Sequence, residues 1–197
     1  ELGYDQNTIL IYTSDHGSHF RTRNSEYKRS CHDGCLRIPL IAWGPGFFGG
    51  GIRPELASLI DLPATIFDCA GIERHERDQG HSLLSLLRGE TQWPDSVFAQ
   101  ISEASTGRTV RTRDWKYAVT APQPAHPDCS AHYTESHLYD LRSDPHERTN
   151  LVLDPLYDAV RAEMKQRLLG HMAQAGELLP EISTAAGQAF TGKDEWR

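Results

Sequence analysis

The amino-acid sequence predicts an α/β protein in two parts: an α/β layer, then a small antiparallel sheet packed with a long helix. Two continuous apolar and β-branched runs, at 8–13 and 38–43, predict the first part. Four short runs of alternating character between 97 and 140, followed by a helical period from 154, predict the second.

Residues 8–13 (Thr-Ile-Leu-Ile-Tyr-Thr) read as a strand buried on both faces, as in a parallel sheet. The run ends at Ser14-Asp15-His16-Gly17, where glycine permits a sharp exit. Residues 18–34 are polar and read as a loop. The second buried strand, 38–43, closes at Gly44-Pro45-Gly46, and Pro39 is tolerated near its start. Leu56, Leu59, Ile60, Pro63, Ile66 and Phe67 then recur at roughly helical spacing, with Gly71 as the stop. Residues 82–87 form a short helical piece before Arg88-Gly89. Composition changes at Gln92-Trp93-Pro94-Asp95, which marks the boundary. Beyond it, 97–101, 108–112, 116–120 and 136–140 read as strands with one wet face, and the Pro-rich 121–128 as a loop. Pro155 at a first turn, followed by Leu156, Val160, Met164 and Leu168, gives an amphipathic helix to about Ala175 that covers the small sheet. The expected organisation is 1–94 as the α/β part, 95–180 as the small α+β subdomain and 181–197 as a tail.

The chain has 197 residues, and its 20 basic against 27 acidic side chains give a net charge of −7. That balance lacks the basic footprint of a nucleic-acid binder. No run approaches the ~18 apolar residues of a spanning helix, so no membrane is expected as a partner. Cysteines at 31, 35, 69 and 129 are too sparse for a disulfide scaffold. The chain begins at Glu with no leader pattern, so it is expected to be a piece of something longer, and any export signal would precede Glu1.

Chemistry concentrates in two places. Asp15 and His16 lie at the carboxyl end of a buried strand, where α/β sheets gather their sites, and supply oxygen and nitrogen suited to a divalent metal. The same residues also fit a capped turn followed by a surface histidine. The second place is Glu26-Tyr27-Lys28-Arg29-Ser30-Cys31-His32-Asp33-Gly34, which leads to Arg37-Ile38-Pro39. Ammonium and guanidinium groups here suit an anionic ester, although composition alone fits a solvated loop equally well. Cys31, His32 and Cys35 lack the second ligand pair of a structural zinc site.

Taken in order, residues 8–17, Glu26 to His32, Arg37-Ile38-Pro39 and Gly44-Pro45-Gly46 resemble the C-terminal half of a type I, formylglycine-dependent sulfatase. Leu59 to Ile66, Gly80-His81-Ser82-Leu83, Arg108 to Tyr117, Leu138-Tyr139-Asp140-Leu141 and Asp144 to Leu151 extend the resemblance, which covers roughly residues 1–176. It implies the C-terminal portion of an alkaline-phosphatase-like α/β/α sandwich plus a small C-terminal antiparallel sheet packed with a long helix. It further implies hydrolysis of sulfate esters, with sulfated sugars as the prior substrate class. Asp15 and His16 fall where the family places two ligands of its divalent cation, usually calcium. Lys28 matches the lysine that contacts sulfate and steadies the leaving oxygen. His32 shares that loop and is expected to reach substrate. Arg37 and Pro39 are expected to be structural, and Arg108 and Glu103 are candidates to reach the pocket from the small sheet. The Cys/Ser-x-Pro/Ala-x-Arg segment that carries the formylglycine does not occur in this chain. The nucleophile is therefore expected in a missing N-terminal half, and the chain alone is expected to be inactive. Alternatives are a phosphodiesterase or phosphonate hydrolase of the same superfamily, and a non-catalytic C-terminal module that self-associates through its apolar strands.

Overall fold

The computed structural model of the chain describes residues 3–90, 92–102, 105–122 and 128–186. In chain order the elements are β1 (Leu10–Thr13), α1 (Asp33–Leu36), β2 (Leu40–Trp43), α2 (Asp61–Ala70) and α3 (Leu83–Arg88). They continue with β3 (Ser96–Ser102), β4 (Thr106–Thr112), β5 (Trp115–Thr120), β6 (His132–Asp140), α4 (Asp158–Gln174) and β7 (Glu181–Ser183). The chain divides into two compact units, one of residues 1–15 and 38–95, the other of residues 16–37 and 96–197.

In the first unit β1 pairs with β2, Leu10 opposite Trp43 and Thr13 opposite Leu40. The pairing is antiparallel, which corrects the parallel expectation. A continuous apolar run reports that both faces favour burial; it carries no information about strand direction. One face is open here, with the cross-strand partners Tyr12 59% and Ile41 58% exposed, while Ile11 and Ala42 on the other face are half-buried. Helix α2 is set by Asp61, whose carboxylate accepts from Ser58 N at 2.7 Å and from His81 N at 2.8 Å. It ends as expected at Gly71, which adopts φ +64° so that the following amide can return to Phe67 O. The buried Thr65 hydroxyl donates to Asp61 O and accepts from Leu83 N at 2.9 Å, tying α2 to α3, and Ser82 caps α3.

The second unit is a five-stranded sheet in the order β3-β4-β5-β6-β7. Its first four strands are antiparallel neighbours and β7 joins β6 in parallel. Residue 181, where the sequence predicts a tail, thus opens a short strand. Side chains alternate across the sheet. Val110, Tyr117, Val119, Tyr133 and Leu138 point to one face and pack with Met164, Leu168, Met172 and Val152. Those α4 residues lie four apart, so one helix stripe meets one sheet face. Leu156, which the sequence places on that stripe, is 88% exposed. It belongs to a preceding 3-10 turn, Pro155–Tyr157, whose tighter winding rotates it off the stripe. On the opposite face, Thr109 and Arg111 of β4, Lys116 and Ala118 of β5, and His137 and Tyr139 of β6 present a largely polar surface. Residues 16–37 meet this face through Asp33 and His32. Among the described residues, no helix is long and apolar enough to cross a membrane.

Candidate functional site

The polar segment 16–37 has no apolar period with which to bury itself, and polar contacts shape it instead. Gly17 N donates to Cys35 O at 2.8 Å, closing the segment on itself. A Cβ at Gly17 would lie 2.2 Å from Gly34 O, so only glycine permits that closure. The buried Asn24 accepts from Glu26 N at 2.9 Å through Oδ1 and donates through Nδ2 to Lys28 O and Arg29 O at 3.4 and 3.3 Å. His19 Nε2 donates to Lys28 O at 3.3 Å. These contacts fix the backbone of Lys28, and Arg29, at φ +66°, turns the chain immediately after it.

Lys28 Nζ lies 3.2 Å from His16 Nε2 and 5.7 Å from the centroid of the Tyr27 ring. His16 Nδ1 is 2.8 Å from Gly17 O, a partner that can only accept. Nδ1 therefore carries the proton, and the Nε2 lone pair faces the Lys28 ammonium. A backbone carbonyl on the far nitrogen is the arrangement that orients an imidazole for metal ligation. Asp15, which accepts from Ser14 Oγ at 3.4 Å, closes the first unit, and His16 opens the second. An exposed carboxylate and a half-buried imidazole with this tautomer suit a divalent cation chemically. The structure thus brings Lys28 and His16 together in the second unit, while Asp15 is the residue before His16 in the chain and belongs to the first unit.

His32 has a different environment. It is 1% exposed, with Nδ1 3.1 Å from Ser30 Oγ and Nε2 3.0 Å from Tyr139 OH. Burial, reinforced by His137, Arg23 and Lys116, lowers its pKa to about 2, so the ring is neutral. Both ring nitrogens are engaged by hydroxyls within the protein, which leaves the expected substrate contact without a donor. Arg108 is also 1% exposed, with Nε 2.9 Å from Glu177 Oε1 and Nη1 2.8 Å from Gly107 O. It secures the sheet rather than facing a pocket, and Glu103 lies outside the described residues.

A buried charge network fastens the segment to the sheet. The Lys116 ammonium, fully buried, donates to both Asp33 and Glu147. Arg111 adds two bonds to Asp33 at 3.2 and 3.3 Å. Glu147 accepts from Asp33 N at 2.8 Å, and Arg23 donates to the carbonyls of Glu147 and His146 at 2.7 and 2.6 Å. Burial raises the Asp33 pKa, but Lys116 and Arg111 outweigh it and hold the carboxyl below its usual range. Sequence reading missed Lys116, Glu147, His137 and Tyr139 as partners of this segment. The available signal was the two-residue spacing of Arg111/Thr109, Lys116/Ala118 and His137/Tyr139, which puts each pair on one sheet face.

A helix-backed antiparallel sheet anchoring a lysine-bearing loop, with an α/β unit in the same chain, is the organisation that the sequence resemblance implies for the C-terminal portion of an alkaline-phosphatase-like protein. Comparison with known proteins narrows the class. Residues 25–174 match the family described as N-sulphoglucosamine sulphohydrolase, C-terminal, and the chain belongs to that family. It is 32% identical over 160 residues to arylsulfatase K of Mus musculus, covering 76% of this chain and 28% of that protein. A solved structure in complex with its substrate D-glucosamine-2-N,6-O-disulfate has a TM-score of 0.69 at 26% identity, covering 87% of this chain and 35% of that one. The phosphonate monoester hydrolase of Agrobacterium radiobacter has a TM-score of 0.66 at 26% identity, covering 85% and 35%. The chain therefore spans about a third or less of the length of these relatives. Membership of a sulfatase family implies a divalent metal cofactor and a formylglycine.

Proposed function

We propose that this chain is the C-terminal part of a longer sulfatase that hydrolyses sulfate esters, sulfated sugars being the substrate class. The Lys28–His16 pair carries this reading: an ammonium held 3.2 Å from an imidazole whose tautomer is set by a backbone carbonyl. Asp15 and His16 would hold the cation, taken as calcium, with the Lys28 ammonium yielding the His16 Nε2 lone pair to it and turning to the anion; the bound cation would stabilise negative charge on the sulfate oxygens. Lys28, with its backbone gripped by Asn24 and His19, binds the anion and donates a hydrogen bond to the departing ester oxygen. A nearby ammonium also offsets anionic charge without itself needing to move. The formylglycine is assigned to sequence outside this chain. The remaining partner is that same N-terminal portion, or a second copy, covering the open face of the β1–β2 pair formed by Leu10, Tyr12, Ile41 and Trp43. His32 holds Tyr139 and the segment in place.

The test is Lys28→Ala in the longer polypeptide that contains this chain. We expect kcat on a sulfated sugar to fall on the order of 10²–10³-fold with the melting temperature unchanged. An unchanged kcat overturns the assignment. The 26% identity to a phosphonate monoester hydrolase favours a second reading as a phosphonate or phosphate-diester hydrolase. Assaying a sulfate ester and a phosphonate monoester side by side separates the two by their ratio of kcat/KM.

A further inference from the structure

The buried residues Cys31, His32 and His137 have no part in the proposed reaction, and their donor atoms all lie within 4.8 Å of one another. Cys31 Sγ is 4.0 Å from His32 Nδ1, and the His32 and His137 rings meet edge to face at 5.2 Å. We propose that Cys31, His32 and His137 form a binding site for a zinc-like divalent transition metal, distinct from the site assigned to Asp15 and His16. One sulfur and two imidazoles select a borderline-soft ion over calcium or magnesium, which take oxygen ligands.

The geometry needs little adjustment. Zinc with a thiolate at about 2.3 Å and imidazoles at about 2.1 Å places those donors roughly 3.5 Å apart, so the cluster contracts by on the order of 1 Å. On binding, the Cys31 thiol gives its proton to solvent and the sulfur donates to the ion. Ser30 Oγ, now 3.1 Å from His32 Nδ1, is displaced by the ion but keeps its bond to Cys35 Sγ at 3.6 Å. Each imidazole has a hydroxyl on one nitrogen: Tyr139 OH at 3.0 Å from His32 Nε2, and Ser136 Oγ at 3.1 Å from His137 Nδ1. Such outer partners orient ligating histidines.

Access comes from a cavity of about 280 Å³ in the same unit, lined by Ser30, Cys31, Thr109, Ser136 and His137 among others. Thr109 Oγ1, on a side chain 1% exposed, has no hydrogen-bond partner in the protein, so the wall of this cavity carries an unsatisfied hydroxyl. Water filling the cavity would complete a four-coordinate site. The ion would join the 16–37 segment, through Cys31 and His32, to β6, through His137, independently of the Lys116 network.

The probe is cobalt(II) titrated into the reduced, metal-free 197-residue chain. We expect a thiolate-to-cobalt charge-transfer band in the near ultraviolet that saturates at one equivalent and is displaced by zinc. Cys31→Ser should abolish the band, and His137→Gln should weaken binding on the order of tenfold or more, each with an unchanged far-ultraviolet circular dichroism spectrum. Cys69→Ser and Cys129→Ser should leave the band intact, and so should Asp15→Asn, which separates this site from the proposed reaction. Absence of the band in the wild-type chain overturns the inference, whether or not the variants fold. Its persistence in folded Cys31→Ser does so as well.

Discussion

Replacing Lys116 with Met removes one fully buried ammonium and keeps most of its volume. Two carboxylates lose a partner. Asp33 retains Arg111 at 3.2 and 3.3 Å, but among the described residues the Glu147 side chain, 3% exposed, retains only the amide of Asp33 at 2.8 Å. Breaking a buried pair from one side costs about 3–5 kcal/mol, because a desolvated charge is stranded. For a unit of this size that corresponds to a fall of roughly 12–20 °C in melting temperature. Urea unfolding followed by circular dichroism, with chelator present, measures the loss directly. Glu147→Gln removes the stranded charge, so Lys116→Met/Glu147→Gln should be less destabilised than the two single losses added, by at least about 1 kcal/mol. The same network sets an acid limit. The Asp33 pKa is depressed in the folded protein, so its contribution is present above the unfolded carboxylate value of 3.8 and is lost as pH falls through the folded value. Lys116→Met should therefore flatten the acid limb below about pH 4. A loss under about 1 kcal/mol in Lys116→Met, or strict additivity in the double variant, would refute the view that these charges anchor the segment.

Two further outcomes follow from single side chains. Leu168→Ala, at a position with no exposure between α4 and the sheet, should destabilise the second unit by about 2–5 kcal/mol in urea unfolding, whereas Leu156→Ala should stay within about 0.5 kcal/mol. Asn24→Ala removes the side-chain acceptor of the Glu26 amide and one donor each from the carbonyls of Lys28 and Arg29, the former keeping His19. It should cost about 1–3 kcal/mol and accelerate hydrogen exchange at Glu26 ahead of the sheet amides.

What the sequence made legible follows local physics. The i, i+4 stripe of Val160, Met164 and Leu168, the Gly71 stop and the Ser82 start all depend on neighbours within a few residues, and all appear in the structure. Strand direction did not, because β1 and β2 are joined by 26 residues, regular only in the four of α1, whose path no local pattern specifies. Strand β6 begins at His132, earlier than expected, because His132-Tyr133-Thr134-Glu135 is polar except where Tyr133 enters the core. At the candidate site, the sequence proposes Asp15, His16 and Lys28 from their wording and order, and the structure places Lys28 beside His16. The environment of His32 was not legible, since its partner Tyr139 lies 107 positions along the chain.

The segment that carries Lys28 owes its shape to the opposite end of the sequence. Within 16–37 the buried residues are polar or cysteine: His19, Asn24, Ser30, Cys31, His32 and Cys35. Such a segment gains little from the hydrophobic effect and depends on satisfied hydrogen bonds, which are directional and costly to leave unmade. Its external partners are Lys116 and Arg111 on adjacent strands, Tyr139 on β6, and Glu147 in the turn that follows. An apolar anchor would hold the segment but tolerate sliding; a network of ion pairs and short polar contacts fixes orientation as well, and a lysine that must meet one imidazole nitrogen requires orientation. The small sheet therefore has two faces with two tasks. The face toward α4 supplies stability through Val110, Tyr117 and Leu138, and the polar face sets the position from which Lys28 reaches His16.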